Sequence, residues 1–237
     1  PIAHAYLDTL VATGAEPVVQ SKWLSTVVVT SKDSTVADRL KNLTMVDSVK
    51  WVWKGHDVTP AQEDDQEIRL SPSDAPLKEK YGYAERQIKM LNGIKLHDAG
   101  FRGEGMRVAV IDAGFQNVDR ICVFDSLQLI GTHNVIYPGR SVYEADDHGT
   151  KVLSCMAANM PGIMVGTAPK ASYLLIKSED SDSEYPIEED YWAAAVEYAD
   201  SVGVDVISSS LGYFAFDADE LSYDQSALDG KSSLISQ

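Results

Sequence analysis

The sequence predicts an α/β domain built on a parallel sheet and preceded by a smaller α+β unit. Residues 108–111 are all apolar, as expected of a central parallel strand that is covered on both faces. Predicted helices and strands then alternate as far as residue 210, which is the pattern of an α/β sheet. Between the two regions, residues 55–80 carry three prolines among acidic and small residues, as an exposed linker would.

Residues 1–54 have the order helix, strand, strand, helix, strand. Apolar positions spaced by three or four residues indicate the helices, and β-branched or alternating residues indicate the strands. The first predicted elements are a helix over 4–12 ended by Gly14 and strands over 18–20 and 23–30. A helix capped by Asp33 or Ser34 follows, and it carries Val36, Leu40 and Leu43 on one face. The last element is a strand over 49–54, in which Val49, Trp51 and Trp53 alternate with Lys50, Val52 and Lys54. This order is a ferredoxin-like split βαβ unit whose first strand is missing, so we expect further residues upstream of Pro1.

Residues 81–237 contain the elements of the larger domain. A helix that carries Ile88, Leu91 and Leu96 precedes a turn at residues 103–105 and the strand over 106–111. A helix over 148–158, a strand over 173–177, a helix over 188–202 and a strand over 205–210 follow. Ligands of such a sheet bind at the carboxyl ends of its strands, so residues that directly follow a strand are the first candidates for a site.

Composition narrows the classes of function. A formal net charge of −16 argues against nucleic acid and anionic membrane as partners, because neutralising phosphate requires clustered Lys and Arg. The sequence has no apolar run long enough to span a bilayer, and its first ten residues lack a signal-peptide pattern. Cys122 and Cys155 are too few for a disulfide framework and equally compatible with two small buried side chains.

Two residues carry the pattern of a catalytic pair. Asp112 directly follows the apolar strand, where a partly buried carboxylate needs a hydrogen-bonding partner; a turn or helix-cap role is the alternative. His148 opens a predicted helix, whose positive end favours the neutral, basic imidazole; a surface or packing role is the alternative for a lone histidine there. Gly149 removes a side chain where another backbone would come close. An aspartate at a strand end and a histidine that opens a helix are the orienter and base of a nucleophile triad.

These residues lie in segments that resemble the subtilases, the subtilisin-like serine peptidases. Residues 87–115 look like the opening of a subtilase catalytic domain, and residues 148–152 resemble the histidine motif of that family. Residues 166–169 and 205–212 match two further subtilase segments, in the family's order and with sensible gaps. The resemblance covers the chain from about Tyr81 onward, and four ordered motifs make it specific.

The resemblance implies roles for individual residues. Asp112 and His148 would be the first two members of a Ser-His-Asp triad. Ser210, Leu211 and Gly212 would form the extended segment that pairs with the substrate backbone and walls the primary specificity pocket. Residues 1–54 resemble the subtilase propeptide, a ferredoxin-like inhibitor and folding chaperone, and an unrelated accessory α+β domain is the alternative. The expected domains are therefore a propeptide over 1–54, a linker over 55–80 and the first part of the catalytic domain over 81–237.

The chain departs from the family pattern in one respect. It contains neither the glycine-flanked nucleophilic serine nor the oxyanion asparagine, and about half of a subtilase domain is missing on a typical domain length. The serines near the end of the last strand and the end of the chain do not stand in a nucleophile-elbow pattern; these are Ser208, Ser209, Ser210, Ser232 and Ser233. We therefore expect residues 1–237 to be inactive alone. A second polypeptide or a continuation should cover the strand over 205–210; truncation and proteolytic cleavage into two chains both remain open.

The same resemblance implies a reaction and a location. The complete protein would be a serine endopeptidase that hydrolyses peptide or protein substrates outside the cell or in its envelope. No cofactor is required. Subtilases often bind structural calcium, but residues 159–163 lack the acidic insertion of the commonest site, and solvated charge explains the acidic residues 178–184 better.

Two other classes of function compete with the peptidase. A degenerate, non-catalytic subtilase, or an inhibitory unit whose residues 1–54 occupy the cleft of a partner peptidase, would explain the absent nucleophile. An apolar strand that ends in a carboxylate also opens nucleotide-binding Rossmann folds. However, no Gly-x-Gly-x-x-Gly pattern follows the strand, so phosphate would lack its cradle of backbone amides.

Overall fold

The computed structural model describes residues 2–54 and 80–236, which belong to two compact units. Of the described residues, unit 1 consists of 2–54, 182–198 and 212–236, and unit 2 consists of 80–181 and 199–211. Apart from Lys80, the predicted linker lies outside the described residues.

Unit 1 begins with a helix, a β-hairpin and a second helix. These are α1 (His4–Ala12), β1 (Glu16–Ser21), β2 (Thr26–Thr30) and α2 (Val36–Lys41), with β1 and β2 antiparallel. Leu10, Ala15, Val36 and Leu40 form a small apolar core between these elements, and Leu43 and Val49 pack against it. The predicted order of the first four elements is therefore confirmed. The predicted caps are wrong: Thr35 precedes α2, and Asp33 Oδ1 accepts from the Thr35 backbone N–H at 2.9 Å.

The predicted strand over 49–54 does not form. Residues 46–54 have no regular secondary structure, and Trp51 is 65% exposed. Val49 packs on the core of unit 1, and the Val52 carbonyl accepts a hydrogen bond from Ile187 N at 3.3 Å rather than joining the hairpin ladder. The alternation therefore predicted neither the strand nor the full buried side of this segment: Val49 and Trp53 are partly buried as expected, but Trp51 is exposed and Val52 is partly buried.

Unit 1 also contains the first part of a long helix from later in the chain. In chain order, the remaining helices are α3 (Glu85–Met90), α4 (Gly93–Asp98), α5 (His148–Ala157) and α6 (Ile187–Val202), and the first twelve residues of α6 belong to unit 1. Glu197 accepts hydrogen bonds from the backbone N–H groups of Lys22 and Trp23 at 3.1 and 3.0 Å, and from the Ser21 hydroxyl. These bonds attach the turn between β1 and β2 to α6. Burial alone would raise the pKa of Glu197, but these bonds hold it below its usual value.

A second carboxylate of α6, that of Asp190, bonds to the β1–β2 hairpin, and its protonation makes the stability of this contact depend on pH. Asp190 is 6% exposed and its Oδ1 accepts from Thr26 Oγ1 at 3.2 Å. Burial raises its pKa to about 6, the charge of Glu189 adds to this rise, and the bond from Thr26 and the charge of Lys50 oppose it. Ionisation of Asp190 therefore costs stability in the folded protein.

We expect Asp190→Asn to remove part of the loss of stability at rising pH. The pKa is higher in the folded than in the unfolded chain, so the stabilisation is full below about pH 4 and lost as the pH rises through 6. The penalty approaches about 3 kcal/mol at neutral pH. Denaturant unfolding of both proteins at pH 4.5 and 7.5 measures the difference. Equal pH dependence of the two proteins would contradict the assignment, and Asp8→Asn, on exposed α1, is the control.

Unit 2 is built on a parallel sheet with the order β4-β7-β3-β8. The strands of unit 2 in chain order are β3 (Arg107–Asp112), β4 (Gln128–Asn134), β5 (Asn159–Met160), β6 (Met164–Val165), β7 (Ser172–Lys177) and β8 (Val206–Ser209), of which β5 and β6 form a separate antiparallel pair. Ala109, Val110 and Ile111 are completely buried, as the apolar run predicted. Asp112 ends the central strand β3, directly opposite Lys177 of β7.

The sequence interpretation missed several elements of unit 2. The predicted helix through Ile88 and Leu96 is two helices, α3 and α4, because Asn92 adopts a left-handed backbone with φ +57°. Edge strand β4 and the short β5–β6 pair were not predicted. β4 contains Gly131 next to a register shift and alternates poorly, so its position depends on pairing with β7. Short 3-10 helices lie at Cys122–Phe124, Asp219–Leu221, Gln225–Ala227 and Leu234–Ser236.

Candidate active site

Asp112 and His148, which lie 36 residues apart in sequence, meet at the carboxyl end of the sheet. Asp112 is completely buried at the end of β3, and His148 is the first residue of α5 with its side chain 51% exposed. The imidazole Nδ1 lies 2.7 Å from Asp112 Oδ1, which also accepts from the Ala113 backbone N–H at 2.8 Å. An ionised carboxylate only accepts hydrogen bonds, so the proton of neutral His148 is assigned to Nδ1 and its Nε2 is left as the acceptor.

The pKa shifts of this pair have different causes. Burial raises the pKa of Asp112, while the hydrogen bonds from His148 and Ala113 oppose that rise. The hydrogen bond and the charge of Asp112 raise the pKa of His148, and its slight burial works in the opposite direction. The prediction that the positive end of α5 would favour the neutral imidazole is therefore wrong in sign. A carboxylate at hydrogen-bonding distance outweighs a helix dipole whose effect is smaller at a half-exposed side chain.

Two glycines allow the backbones at this site to approach each other. A Cβ atom on Gly149 would lie 2.4 Å from the Gly114 carbonyl oxygen and 2.9 Å from Asp112 Cβ. A Cβ on Gly114 would lie 2.7 Å from the Asp146 carbonyl oxygen. The close approach predicted at Gly149 is confirmed, and it brings the first turn of α5 against the end of β3.

We expect Gly149→Ala to destabilise the protein by roughly 1–3 kcal/mol, because the new methyl group meets backbone atoms that cannot move aside cheaply. Thermal or denaturant unfolding measures this loss. Gly131→Ala is the matched control, since its Cβ would contact only Leu174 Cδ1 at 3.8 Å, an ordinary distance. Equal stability of the two variants would contradict the close packing at residue 149.

A buried lysine supports the loop that follows Asp112, and the sequence interpretation did not identify it. Lys177 is 5% exposed; its Nζ donates to the Ala113 carbonyl and, at 2.8 Å, to that of Glu179. Ser178 N also donates to the Asp112 carbonyl at 3.1 Å. The signal available in the sequence was a charged residue at the end of the apolar run 173–176, in a predicted strand.

The predicted substrate-binding segment follows the last strand at the same edge of the sheet. Ser209 of β8 lies opposite Ile111 of β3, so Ser210 follows at the level of Asp112. Ser210, Leu211 and Gly212 have no regular secondary structure; the first and third are exposed and Leu211 is half-buried. Among residues 2–54 and 80–236, the structure shows no serine hydroxyl bonded to His148 Nε2.

Comparison with known proteins identifies the family. Residues 103–236 match the model of the Subtilase family, and residues 1–66 match that of the Bacteroidota peptidase S8 propeptide domain. The chain belongs to the subtilase family. It is therefore related to serine peptidases, and its first part is a subtilase propeptide region.

Individual subtilases agree with this assignment. Subtilisin E of Bacillus subtilis is 31% identical over 157 residues, which cover 62% of this chain and 39% of that protein. The minor extracellular protease Epr of Bacillus subtilis is 24% identical over 207 residues, covering 86% of this chain and 30% of Epr. Fervidolysin from Fervidobacterium pennivorans, described as a keratinolytic enzyme, has the same fold with a TM-score of 0.55 and 20% identity, over 92% of this chain and 35% of its own. The chain thus spans well under half the length of these subtilases.

The fold and the likeness to these subtilases confirm the predicted fold class, a subtilisin-like parallel sheet preceded by a propeptide region. In the described part of this subtilase chain, no helix is both long and apolar enough to cross a membrane.

Proposed function

We propose that Asp112 and His148 are two members of the triad of a serine endopeptidase, and that the nucleophilic serine lies outside residues 1–237. The observation that carries this proposal is the 2.7 Å contact between His148 Nδ1 and the buried carboxylate of Asp112. That contact occupies Nδ1, so Nε2 is the ring nitrogen left to accept a proton from a nucleophile, which supports the proposed role.

The proposed roles follow from this geometry. His148 Nε2 accepts the serine proton as the serine oxygen attacks the peptide carbonyl, and it later returns that proton to the leaving amine. Asp112 holds the imidazole in the Nδ1–H tautomer and stabilises the imidazolium that forms. Water then hydrolyses the acyl-enzyme, with His148 again as the base. This chemistry requires no cofactor, since the attacking group is activated by a side-chain base.

The substrate would add as an extended strand along residues 210–212. This segment continues β8 beyond its last paired residue and is exposed at Ser210 and Gly212, so backbone groups there are available to a peptide. Its position at the level of Asp112 supports the role, because the scissile bond must reach His148.

The free side of β8 is proposed to bind the remainder of the catalytic domain. Among the described strands β8 pairs only with β3, and its apolar Val206 and Ile207 are 50% and 36% exposed. An apolar edge strand presents unpaired N–H and C=O groups with which a further strand can pair. We propose that a continuation or second polypeptide segment supplies that strand together with the serine and the oxyanion donor.

We further propose that the complete protein acts outside the cytoplasm. Its similarity to Epr, which is named an extracellular protease, supports this location. We propose that residues 1–54 act as an inhibitor and folding aid until the propeptide is removed. Their contact with Glu197 of α6 is consistent with this role.

The decisive experiment compares residues 1–237 with a protein that carries the complete catalytic domain. We expect the complete protein to hydrolyse a peptide substrate and to be labelled by a fluorophosphonate, and we expect residues 1–237 to do neither. Labelling of residues 1–237 alone would contradict the proposed location of the nucleophile. A complete, folded protein that is neither labelled nor active would instead indicate a non-catalytic binding or inhibitory subtilase.

A further inference from the structure

Asp146 precedes His148 by two residues, and its carboxylate forms hydrogen bonds with both the start of α5 and a neighbouring loop. Oδ1 accepts a hydrogen bond from the His148 backbone N–H at 2.7 Å. Oδ2 accepts from the Ser181 hydroxyl at 3.2 Å, in the loop that follows β7. One side chain thus connects the base with the loop after a second strand of the sheet.

The backbone of Asp146 is fixed as well. Its carbonyl accepts from Gln116 N at 2.9 Å, and Gly114 packs so closely on it that a Cβ there would lie 2.7 Å away. The residue before it, Ala145, has φ +73°, which is in the left-handed region that non-glycine residues rarely adopt. Such strain persists when the surrounding contacts hold the backbone in place, and it concentrates at functional sites.

The neighbouring aspartate does not perform this task. Asp147 directly precedes α5 but makes no side-chain bond to the helix start, and its Oδ1 accepts from Lys151 Nζ at 2.7 Å. The carboxylate of Asp147 is therefore paired with Lys151, whereas the carboxylate of Asp146 is bonded to the backbone N–H of His148. Asp146 is therefore the acidic side chain that fixes the first turn of α5.

We propose that Asp146 is a positioning residue for His148, fixing the backbone of the base through Oδ1 and acting on the imidazole through its negative charge. The proposal rests on the proposed function, because it assigns a task to Asp146 in a reaction that uses His148 as the base. Three charged groups act electrostatically on the imidazole: Asp112 from β3, Asp146 from the loop before α5, and Lys151 from α5 itself. The first two raise the pKa of His148 and Lys151 lowers it.

Two variants separate the positional effect from the effect of charge. Asp146→Asn keeps an oxygen acceptor for the His148 N–H but removes the charge, so we expect kcat to stay within about threefold while the acid limb of the kcat/KM profile moves to lower pH. Asp146→Ala removes the oxygen acceptor as well as the charge, and we expect kcat to fall roughly 10- to 100-fold because His148 is misplaced. Asp125→Asn removes the same charge from an exposed position elsewhere in unit 2 and should change neither quantity.

The measurements are the pH profile of peptide hydrolysis by the complete protein and an NMR titration of the His148 ring in each variant. A purely structural role would lower the stability of Asp146→Ala but leave the His148 titration midpoint of Asp146→Asn equal to that of wild type. That equality overturns the proposal. If the complete wild-type protein proves inactive, the proposed function fails, and the NMR titration still decides whether Asp146 acts on the imidazole.

Discussion

Replacement of His148 with alanine should abolish peptide hydrolysis by the complete protein. We expect kcat to fall roughly 10⁴- to 10⁶-fold, the size of loss that removal of a triad member causes in serine peptidases such as subtilisin. The structure explains why no other group replaces it. The carboxylate of Asp112 is completely buried behind the imidazole, so it cannot reach a serine proton itself.

The measurement is the single-turnover rate of acylation, together with the rate of fluorophosphonate labelling, which should fall with it. His4→Ala, at an exposed histidine of α1, is the control and should behave as wild type. Full activity of a folded His148→Ala protein would refute the assignment of this residue as the base.

Replacement of Asp112 with asparagine should reduce kcat by about 10⁴-fold without unfolding the protein. An asparagine side chain presents an N–H group to His148 Nδ1, which then becomes the acceptor. The ring proton moves to Nε2, so the imidazole can no longer accept the proton of the serine. The loss therefore arises from the wrong tautomer and not from a displaced ring.

The stability of this variant gives an independent test. Burial raises the pKa of Asp112, so the neutral amide removes the cost of a buried charge, but an N–H group turned to His148 loses the bond from Ala113 N–H; we expect a folded variant with a midpoint close to wild type at pH 8. Nitrogen-15 NMR of the ring identifies the tautomer directly. A variant that is inactive because it is unfolded, or one that remains fully active, would contradict this account of Asp112.

The sequence predicted well the features that depend on local pattern. The apolar residues before Asp112 required a buried strand whichever strands neighboured it, and the strand end placed the carboxylate at the correct edge of the sheet. His148 at the helix start and Gly149 after it followed from the same kind of local pattern. Their 2.7 Å contact needed the fold, since the two residues are far apart in sequence.

Features that depend on tertiary contacts were missed or predicted incorrectly. Trp51 lies in a segment with the alternation of a strand, yet that segment pairs with neither strand of the β1–β2 hairpin and has no regular secondary structure. The direction of the pKa shift of His148 depends on a carboxylate from a different strand, so the helix position alone gave the wrong sign. The contacts of Lys177 with the loop after β3 and of Asp146 with Ser181 depend on the fold, because the partners are far apart in sequence.

The attachment of the β1–β2 turn to Glu197 has a consequence for how this region evolves. Two of the three donors to that carboxylate are backbone N–H groups, those of Lys22 and Trp23, whose side chains point to solvent. Recognition of the turn is therefore almost independent of which amino acids occupy it, with proline excluded for lack of a donor. Homologous propeptides can diverge at these two positions and keep the same attachment, so sequence variability there is no sign that the contact has been lost.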